Sequence, residues 1–436
     1  MIQEIRIKNF MSFKDEVVIS FEATKDTFAE DSQVVKINDK TRLLRFAVVY
    51  GYNASGKSNL LKAFDYLRQF WLRKSNDMNE NTKIVPFKLD SHSPLEHTKF
   101  ELVFYVDTTK YAYLLELDNQ QVYAEKLSYY KSEQPTMLFD RRFDNGQSVI
   151  GFGSSLKISK IVKESITVNC LKNMSVFAAR ISVNANIPLI DNALDMLLNG
   201  TTINLYADLT FVAKRLLSDD DLFIKYVLNF LSEADFNISN LKTIKSNDVI
   251  PLEIGDFGTN YTVDLGNLFD NESIQKEAFL SSRKERAVCF HTVETERGKE
   301  TFSLNLDNPF SIHNEESMGT INMFGIVAVL YNALKCNNFL AIDEIETSLH
   351  PKLLEKILYE FLKVKNSRSQ LIVTTHNDGL LDLTDDLIRK DSVWFTEKQK
   401  NGSTELYKLT DFRGVNRLSS IREAYRNKRF GATMNN

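Results

Sequence analysis

Gly51, Gly56, Lys57 and Ser58 lie in the stretch VVYGYNASGKSNLLKAF, which begins at Val48, and they fit G-x-x-x-x-G-K-[ST]. These residue types at this spacing bind phosphate. The glycines let the backbone turn tightly, and amide groups from Asn53, Ala54, Ser55, Gly56, Lys57 and Ser58 can face an anion. The lysine adds a positive charge that reaches the outer phosphates, and Asn59, the next residue into the helix, is counted with the nucleotide-binding residues. A second group stands far downstream. In NNFLAIDEIETSLHP an apolar run, Phe339 to Ile342, ends in Asp343 and Glu344. An aspartate at the end of a strand can hold Mg²⁺ together with the Ser58 hydroxyl, and the glutamate beside it can polarise an attacking water. Such a pair could also be two solvated carboxylates capping a strand. Its occurrence in a chain that already carries a phosphate loop favours the metal reading. The third group is His376, which closes the apolar run of LIVTTHN. A lone histidine at a strand end is more often structural, so its weight comes from the company it keeps.

These residues need a scaffold that brings them together. The first fifty residues read as strands, IQEIRIKNF, EVVISFEA and LLRFAVVYG, separated by polar turns. KSNLLKAFDYLRQFWLRK then has helical apolar spacing, so the glycine loop sits between a strand and a helix, as a phosphate loop requires. From Phe100 to about Ile150, KFELVFYVD, KYAYLLELD, QQVYAEKLSYYK and PTMLFDRR alternate like an antiparallel meander. NALDMLLNG, DLTFVAKRLLS and DDLFIKYVLNFLSEADF are amphipathic helices. Strands return at AVCFHTVE and ETFSLNL across the turn TERGK, and from Glu315 onward helices and strands alternate as in an α/β core. The expected division is a composite ATPase domain, 1–154 with 285–436, carrying a mainly helical insertion over 155–284. The insertion holds no motif that assigns it a role.

Composition narrows the class. With 54 Lys and Arg against 58 Asp and Glu, the net charge of −4 gives no bulk attraction to nucleic acid or an anionic membrane. DNA remains a possible partner only through a local basic groove. Cys170, Cys289 and Cys336 stand far apart with no C-x-x-C pair, which points to buried thiols in a reducing cytoplasm. The N-terminus reads as a strand and lacks the apolar core of a signal peptide. MFGIVAVLYNAL is too short to span a bilayer and reads as a buried helix, so no membrane partner is expected.

ESMGT, Glu316 to Thr320, resembles a degenerate ABC signature, in which Ser317 and Gly319 match the usual Leu-Ser-Gly-Gly-Gln form and Glu316, Met318 and Thr320 depart from it. TSLHP resembles the D-loop, and His376 the switch histidine. The long gap between Lys57 and Asp343 is the habit of the ABC and chromosome-maintenance group rather than of ring motors or GTPases. A hydroxyl and amide groups at a helix start form an anion site. The resemblance implies that this site meets the γ-phosphate of ATP held by a second protomer, with His376 contacting the same phosphate. It therefore implies an ABC/SMC-like P-loop ATPase head that assembles as a head-to-tail homo-oligomer.

DEIETSLHP, QLIVTTHN, DSVWFTEKQKNGSTELYKLTDF and YRNKRFGA, with KNFMSF and PFKLD near the start, make a longer pattern. It resembles the ABC-type AAA ATPases of bacterial abortive-infection and anti-phage systems, the group related to the OLD proteins. That resemblance implies ATP-driven dimerisation and control of a toxic effector. The residues after His376 are too few for the Toprim nuclease of OLD proteins, so any nuclease is expected on another polypeptide. Asp382, Asp385 and Asp386 read as a solvated turn or helix cap rather than a two-metal site. The basic tail carries Arg413, Arg417, Arg422, Arg426, Lys428 and Arg429. It could bind DNA phosphates or an acidic partner, but helix-spaced Arg417, Ile421 and Tyr425 favour docking on the ATPase core. The alternative to a defence ATPase is a head-only, RecF/SMC-like DNA-repair ATPase that clamps DNA.

Overall fold

The computed structural model describes residues 1–204, 210–233, 238–245, 285–295, 298–305 and 317–433. Short alternating runs at the start form β1 (Ile2–Lys8) and β2 (Val17–Ser20), followed by a single turn of helix, α1 (Glu30–Gln33), and the small pair β3 (Val34–Lys36) and β4 (Arg42–Leu44). A fully buried strand, β5 (Phe46–Tyr50), leads through the glycine loop into α2 (Lys57–Leu72). The meander follows as β6 (Thr98–Val106), β7 (Thr109–Leu117), β8 (Val122–Tyr130), β9 (Pro135–Asp144) and β10 (Gln147–Phe152). Next come α3 (Lys160–Asn169), α4 (Val176–Ile181), α5 (Pro188–Leu198) and β11 (Thr201–Asn204), then α6 (Thr210–Asp219), α7 (Asp221–Glu233), β12 (Ile238–Lys245), β13 (Glu285–Thr295), β14 (Gly298–Asn305) and α8 (Met318–Cys336). The chain closes with β15 (Phe339–Ile342), α9 (Pro351–Leu362), β16 (Gln370–Thr375), β17 (Val393–Lys398), β18 (Thr404–Lys408) and α10 (Ile421–Arg426).

The chain divides into two units, Met1–Leu205 with Ala333–Ile345 and Leu358–Asn436, and Tyr206–Asn332 with Glu346–Ile357. The first unit holds two large sheets. One is an antiparallel sheet of seven strands in the order β10-β9-β8-β7-β6-β1-β2; the other has six strands in the order β11-β15-β16-β5-β17-β18. In the second sheet β11, β15, β16, β5 and β17 run parallel, and β18 is an antiparallel edge. Parallel strands need cover on both faces, which explains why β5, β15 and β16 are buried at every position. α2 supplies part of that cover and joins the two sheets. Its Phe64 packs on Phe339 of β15 at 5.1 Å, and its Trp71 meets Tyr113 of β7 edge-on at 5.5 Å. Polar groups also cross between the sheets. The Gln370 side chain of β16 accepts from the Ile2 amide at 2.6 Å and donates to the Ile2 and Leu44 carbonyls.

α3 to α5 depart from the expected insertion. Ile166, Cys170, Met174, Phe177 and Ile190 lie in the same hydrophobic core as the meander and α2, so these helices belong to the first unit. A buried ion pair fastens them: Glu125 of β8 and Arg141 of β9 sit 3.3 Å apart. Glu125 also accepts from Ser175 Oγ and the Val176 amide, and Arg141 donates to the Leu171 and Lys172 carbonyls. Such a pair is tolerable inside a core because neighbouring groups satisfy most of its remaining donors and acceptors, the buried Arg141 Nε being the exception.

The second unit contains α6, α7 and the antiparallel sheet β12-β13-β14, and α8 contributes residues to both units. β13 and β14 are the strands expected at AVCFHTVE and ETFSLNL, paired through Val293↔Glu300. β12, inside the stretch expected to be helical, is a strand pairing with β13. The rest of that stretch, 246–284, lies outside the described residues. Within this unit Phe223 and Tyr226 of α7 pack on Tyr331 of α8 at 5.3 and 5.2 Å. α8 is long and apolar enough to cross a membrane by length and composition, but most of it is buried in the fold, as MFGIVAVLYNAL suggested. Cys170 and Cys289 are buried as expected; Cys336, at the end of α8, is exposed and corrects that expectation.

Candidate nucleotide site

The parallel sheet sets the site's position. β5, β16 and β15 are neighbours running the same way, so the glycine loop, His376 and Asp343 all emerge at the carboxyl ends of adjacent strands. β16 lies between the other two. Ser58, in the first turn of α2, and Asp343 thus share one edge of the sheet.

The loop is built on two unusual backbone positions. Ala54 has φ 63°, and Gly56, which precedes α2, has φ 111°. A side chain at Gly56 would overlap Thr404 Oγ1 and lie 2.7 Å from Thr404 Cγ2, so only glycine fits there. Hydroxyl groups hold the loop from behind. Ser55 Oγ pairs with Thr396 Oγ1 of β17 at 2.7 Å, and Thr404 Oγ1 of β18 lies 2.8 Å from both the Ser55 carbonyl and Ser12 Oγ. Asn59 Nδ2 donates to Ser12 Oγ at 2.8 Å. The Asn59 side chain thereby braces the loop. The Asn59 amide bonds the Gly56 carbonyl at 3.1 Å, and the helix dipole makes the start of α2 attractive to an anion.

Lys57 is almost fully buried. Its ammonium donates to the Gly51 carbonyl at 2.8 Å and the Tyr52 carbonyl at 3.3 Å, and lies 3.3 Å from His376 Nδ1. The other ring nitrogen, His376 Nε2, lies 3.2 Å from Glu344 Oε1. An ammonium can only donate and an ionised carboxylate can only accept, so the ring sits between them as the Nε2–H tautomer. Lys57, His376 and Glu344 therefore form one directed chain of hydrogen bonds.

Asp343 and Glu344 are arranged by a residue that the sequence did not single out. Thr374 of β16 is fully buried; its hydroxyl accepts from the Glu344 amide at 2.8 Å and donates to Asp343 Oδ1. Among the described residues nothing bonds the other Asp343 oxygen. Glu344 has φ 47°, the left-handed turn that swings its carboxylate towards His376. Thr374, Thr396, Thr404 and Ser12 all lie outside the motif spacings, and nothing in the sequence singles them out.

Ser317 and Gly319 belong to the second unit. Ser317 precedes α8, and its Oγ accepts from the Thr320 amide at 3.1 Å, a helix N-cap. A side chain at Gly319 would sit 2.9 Å from the Ser348 carbonyl, so glycine lets the helix start approach the TSLHP turn. Asn322, which follows, donates to the Thr347 carbonyl at 3.4 Å. Glu316 lies outside the described residues.

The tail docks. Arg422 of α10 pairs with Asp378 at 3.0 Å and Asp382 at 2.6 Å, and Arg426 pairs with Asp378 at 2.5 Å. Burial raises the Asp378 pKa, but the two guanidinium groups outweigh it and hold the carboxyl below its usual value. Tyr425 stacks on Phe395 of β17 at 5.5 Å, and Ile421 is buried. Arg417 precedes α10 and is exposed, so it takes no part in this docking. Asp385 pairs with Lys390 at 2.6 Å, which leaves these aspartates as partners of cations.

One family model matches the chain, described as "AAA domain, putative AbiEii toxin, Type IV TA system", over residues 46–152 and 224–382. That is more than half of the chain, and it includes every site residue expected from the sequence. The chain belongs to this AAA family. Membership makes it an ATPase-family protein, with a nucleotide, usually with Mg²⁺, as the implied ligand. Among solved structures, an SMC head bound to the C-winged helix domain of ScpA is similar at 13% identity, covering 97% of this chain and 99% of that chain, with a TM-score of 0.44. The SMC head domain from Thermotoga maritima is similar at 13% identity, covering 93% of this chain and 98% of that chain, with a TM-score of 0.40. No curated protein matches the sequence significantly. The mixed α/β class expected from the sequence is the one observed: a parallel sheet carries the glycine loop and a large antiparallel sheet packs beside it.

The donor set fits the implied ligand. A hydroxyl and a carboxylate oxygen are the hard donors that Mg²⁺ takes, and a lysine with helix-start amides suits a polyphosphate.

Proposed function

We propose that this AAA protein binds and hydrolyses Mg·ATP, pairs head to tail around the nucleotide, and controls a separate toxic effector in anti-phage defence. The observation that carries the reading is the hydrogen-bond chain from Lys57 through His376 to Glu344, beside an Asp343 held by Thr374. Bound Mg·ATP would supply the phosphoanhydride and its electrophilic phosphorus. Lys57 and the loop amides would neutralise and orient the phosphates, with Ser58 and Asp343 as metal ligands. Glu344, aimed by His376, would hold and polarise the attacking water. Catalysis of this kind is mainly positioning and charge stabilisation. Ser317 and Gly319, at the start of a long helix, would approach a second protomer's nucleotide.

The defence role is supported by the family description, which names a toxin–antitoxin system. The ion pairs that occupy Asp378, Asp382 and Asp385 favour a structural role for these carboxylates.

Turnover and assembly test this reading together. Glu344→Gln is expected to slow Mg-dependent ATP hydrolysis at least tenfold, about 1.4 kcal/mol in barrier, and to accumulate an ATP-bound dimer in sedimentation. Unchanged turnover removes Glu344 from its role, and a monomer at saturating ATP removes the sandwich.

A further inference from the structure

We propose that Thr374 is a positioning residue that sets the metal-binding carboxylate and the water-polarising carboxylate with one hydroxyl group. The proposal rests on the ATPase reading, but its first readout does not. Thr374 is the fifth residue of β16, between the strands that carry the glycine loop and the acidic pair. Its side chain is fully buried, so water does not compete for the hydroxyl.

The proton direction follows from the partners. A hydroxyl has one proton and two lone pairs. The Glu344 amide can only donate, so Thr374 Oγ1 accepts from it at 2.8 Å. The remaining proton is then directed to Asp343 Oδ1, which accepts. One arm fixes the Asp343 carboxylate by occupying Oδ1, so that the oxygen offered to a cation is Oδ2. The other arm pins the Glu344 backbone in its left-handed turn at φ 47°, a conformation that non-glycine residues adopt only at a cost. A third bond closes the corner, since the Ile345 amide donates to the Thr374 carbonyl at 3.2 Å. With Glu344 held in this turn, its side chain meets His376 Nε2 at 3.2 Å. Valine has nearly the shape of threonine and can make neither side-chain bond. Serine can make both.

Three measurements on the full chain test this. Hydrogen exchange read by mass spectrometry on the peptide spanning Asp343–Ile345 is expected to be at least tenfold faster in Thr374→Val than in wild type, and near wild type in Thr374→Ser. The Mn²⁺ affinity of the ATP-loaded protein, read by electron paramagnetic resonance, is expected to fall several-fold in Thr374→Val, while metal-free ATP affinity is unchanged. Turnover at saturating Mn·ATP is expected to fall about tenfold, with no further loss when Glu344→Gln is added. If Thr374→Val does not fold, Thr374→Cys, a weaker donor and acceptor, is read in the same assays. Wild-type exchange and metal affinity in a folded Thr374→Val or Thr374→Cys protein would overturn the proposal. A wild-type protein that never hydrolyses ATP would sink the ATPase reading, leaving the exchange result to decide the geometry of the corner.

Discussion

Gly56→Ala probes how the glycine loop is held. The residue has φ +111°, and an added Cβ would overlap Thr404 Oγ1, lie 2.7 Å from Thr404 Cγ2 and 2.9 Å from Ser12 Oγ. The backbone conformation contributes about 1–2 kcal/mol of destabilisation for a non-glycine residue. Crowding in a packed site adds about 1–3 kcal/mol. Together they predict a loss of about 2–5 kcal/mol. Thr404→Ala removes both colliding Thr404 atoms but leaves Ser12. It should itself cost about 1–3 kcal/mol, because Thr404 bonds the Ser55 carbonyl and Ser12. The double variant should therefore be more stable than the sum of the single effects by about 1–2 kcal/mol, since removing Thr404 relieves most of the crowding that Gly56→Ala creates. Urea unfolding followed by tryptophan fluorescence measures this, because Trp71 lies in α2 and Trp394 in β17, the helix and strand that flank the loop. Additivity within about 0.5 kcal/mol would refute the claim that β18 braces the phosphate loop from behind.

Lys57→Ala should abolish tight ATP binding measured by calorimetry while leaving the unfolding midpoint within a few degrees of wild type; normal affinity would reject the phosphate-loop assignment. Alkylation of the native protein should label Cys336 first, since it is exposed, whereas burial raises the Cys170 thiol to about 11 and keeps it unreactive at neutral pH. Mass mapping that finds Cys170 modified as fast as Cys336 would contradict the core built around α3 and α4.

The chemistry was legible in the sequence where it depends on a strand ending. The glycine loop, Asp343 with Glu344, and His376 each close an apolar run, and parallel strands place such ends together whatever the chain does between them. The meander was legible for a similar reason: its alternation repeats over β6 to β9 and each turn is short. What sequence could not show is pairing by hydroxyl groups distant in the chain. Ser12, Thr374, Thr396 and Thr404 become loop and corner supports only through the sheet order. The helices after the meander misled, because amphipathic spacing shows that a face is buried but not against what. α3 to α5 bury theirs on the meander and α2. β12 was read as part of a helical stretch, although β13 recruits it as a strand. In the tail, apolar spacing found Ile421 and Tyr425, but α10 begins only at Ile421, which leaves Arg417 outside it.

The central claim is that a nucleotide held by one protomer's loop is completed by the Ser317 segment of another. Mixing two inactive variants tests it most directly. Lys57→Ala destroys the loop and leaves Ser317; Ser317→Arg blocks the helix start and leaves the loop. A head-to-tail pair formed from one copy of each contains one site in which both contributions are intact. Each variant alone should be nearly inactive, and an equimolar mixture should recover ATP hydrolysis to about one quarter of wild type, since about half of the pairs are mixed and each has one working site of two. A mixture no more active than its components would show that the Ser317 segment does not act across protomers.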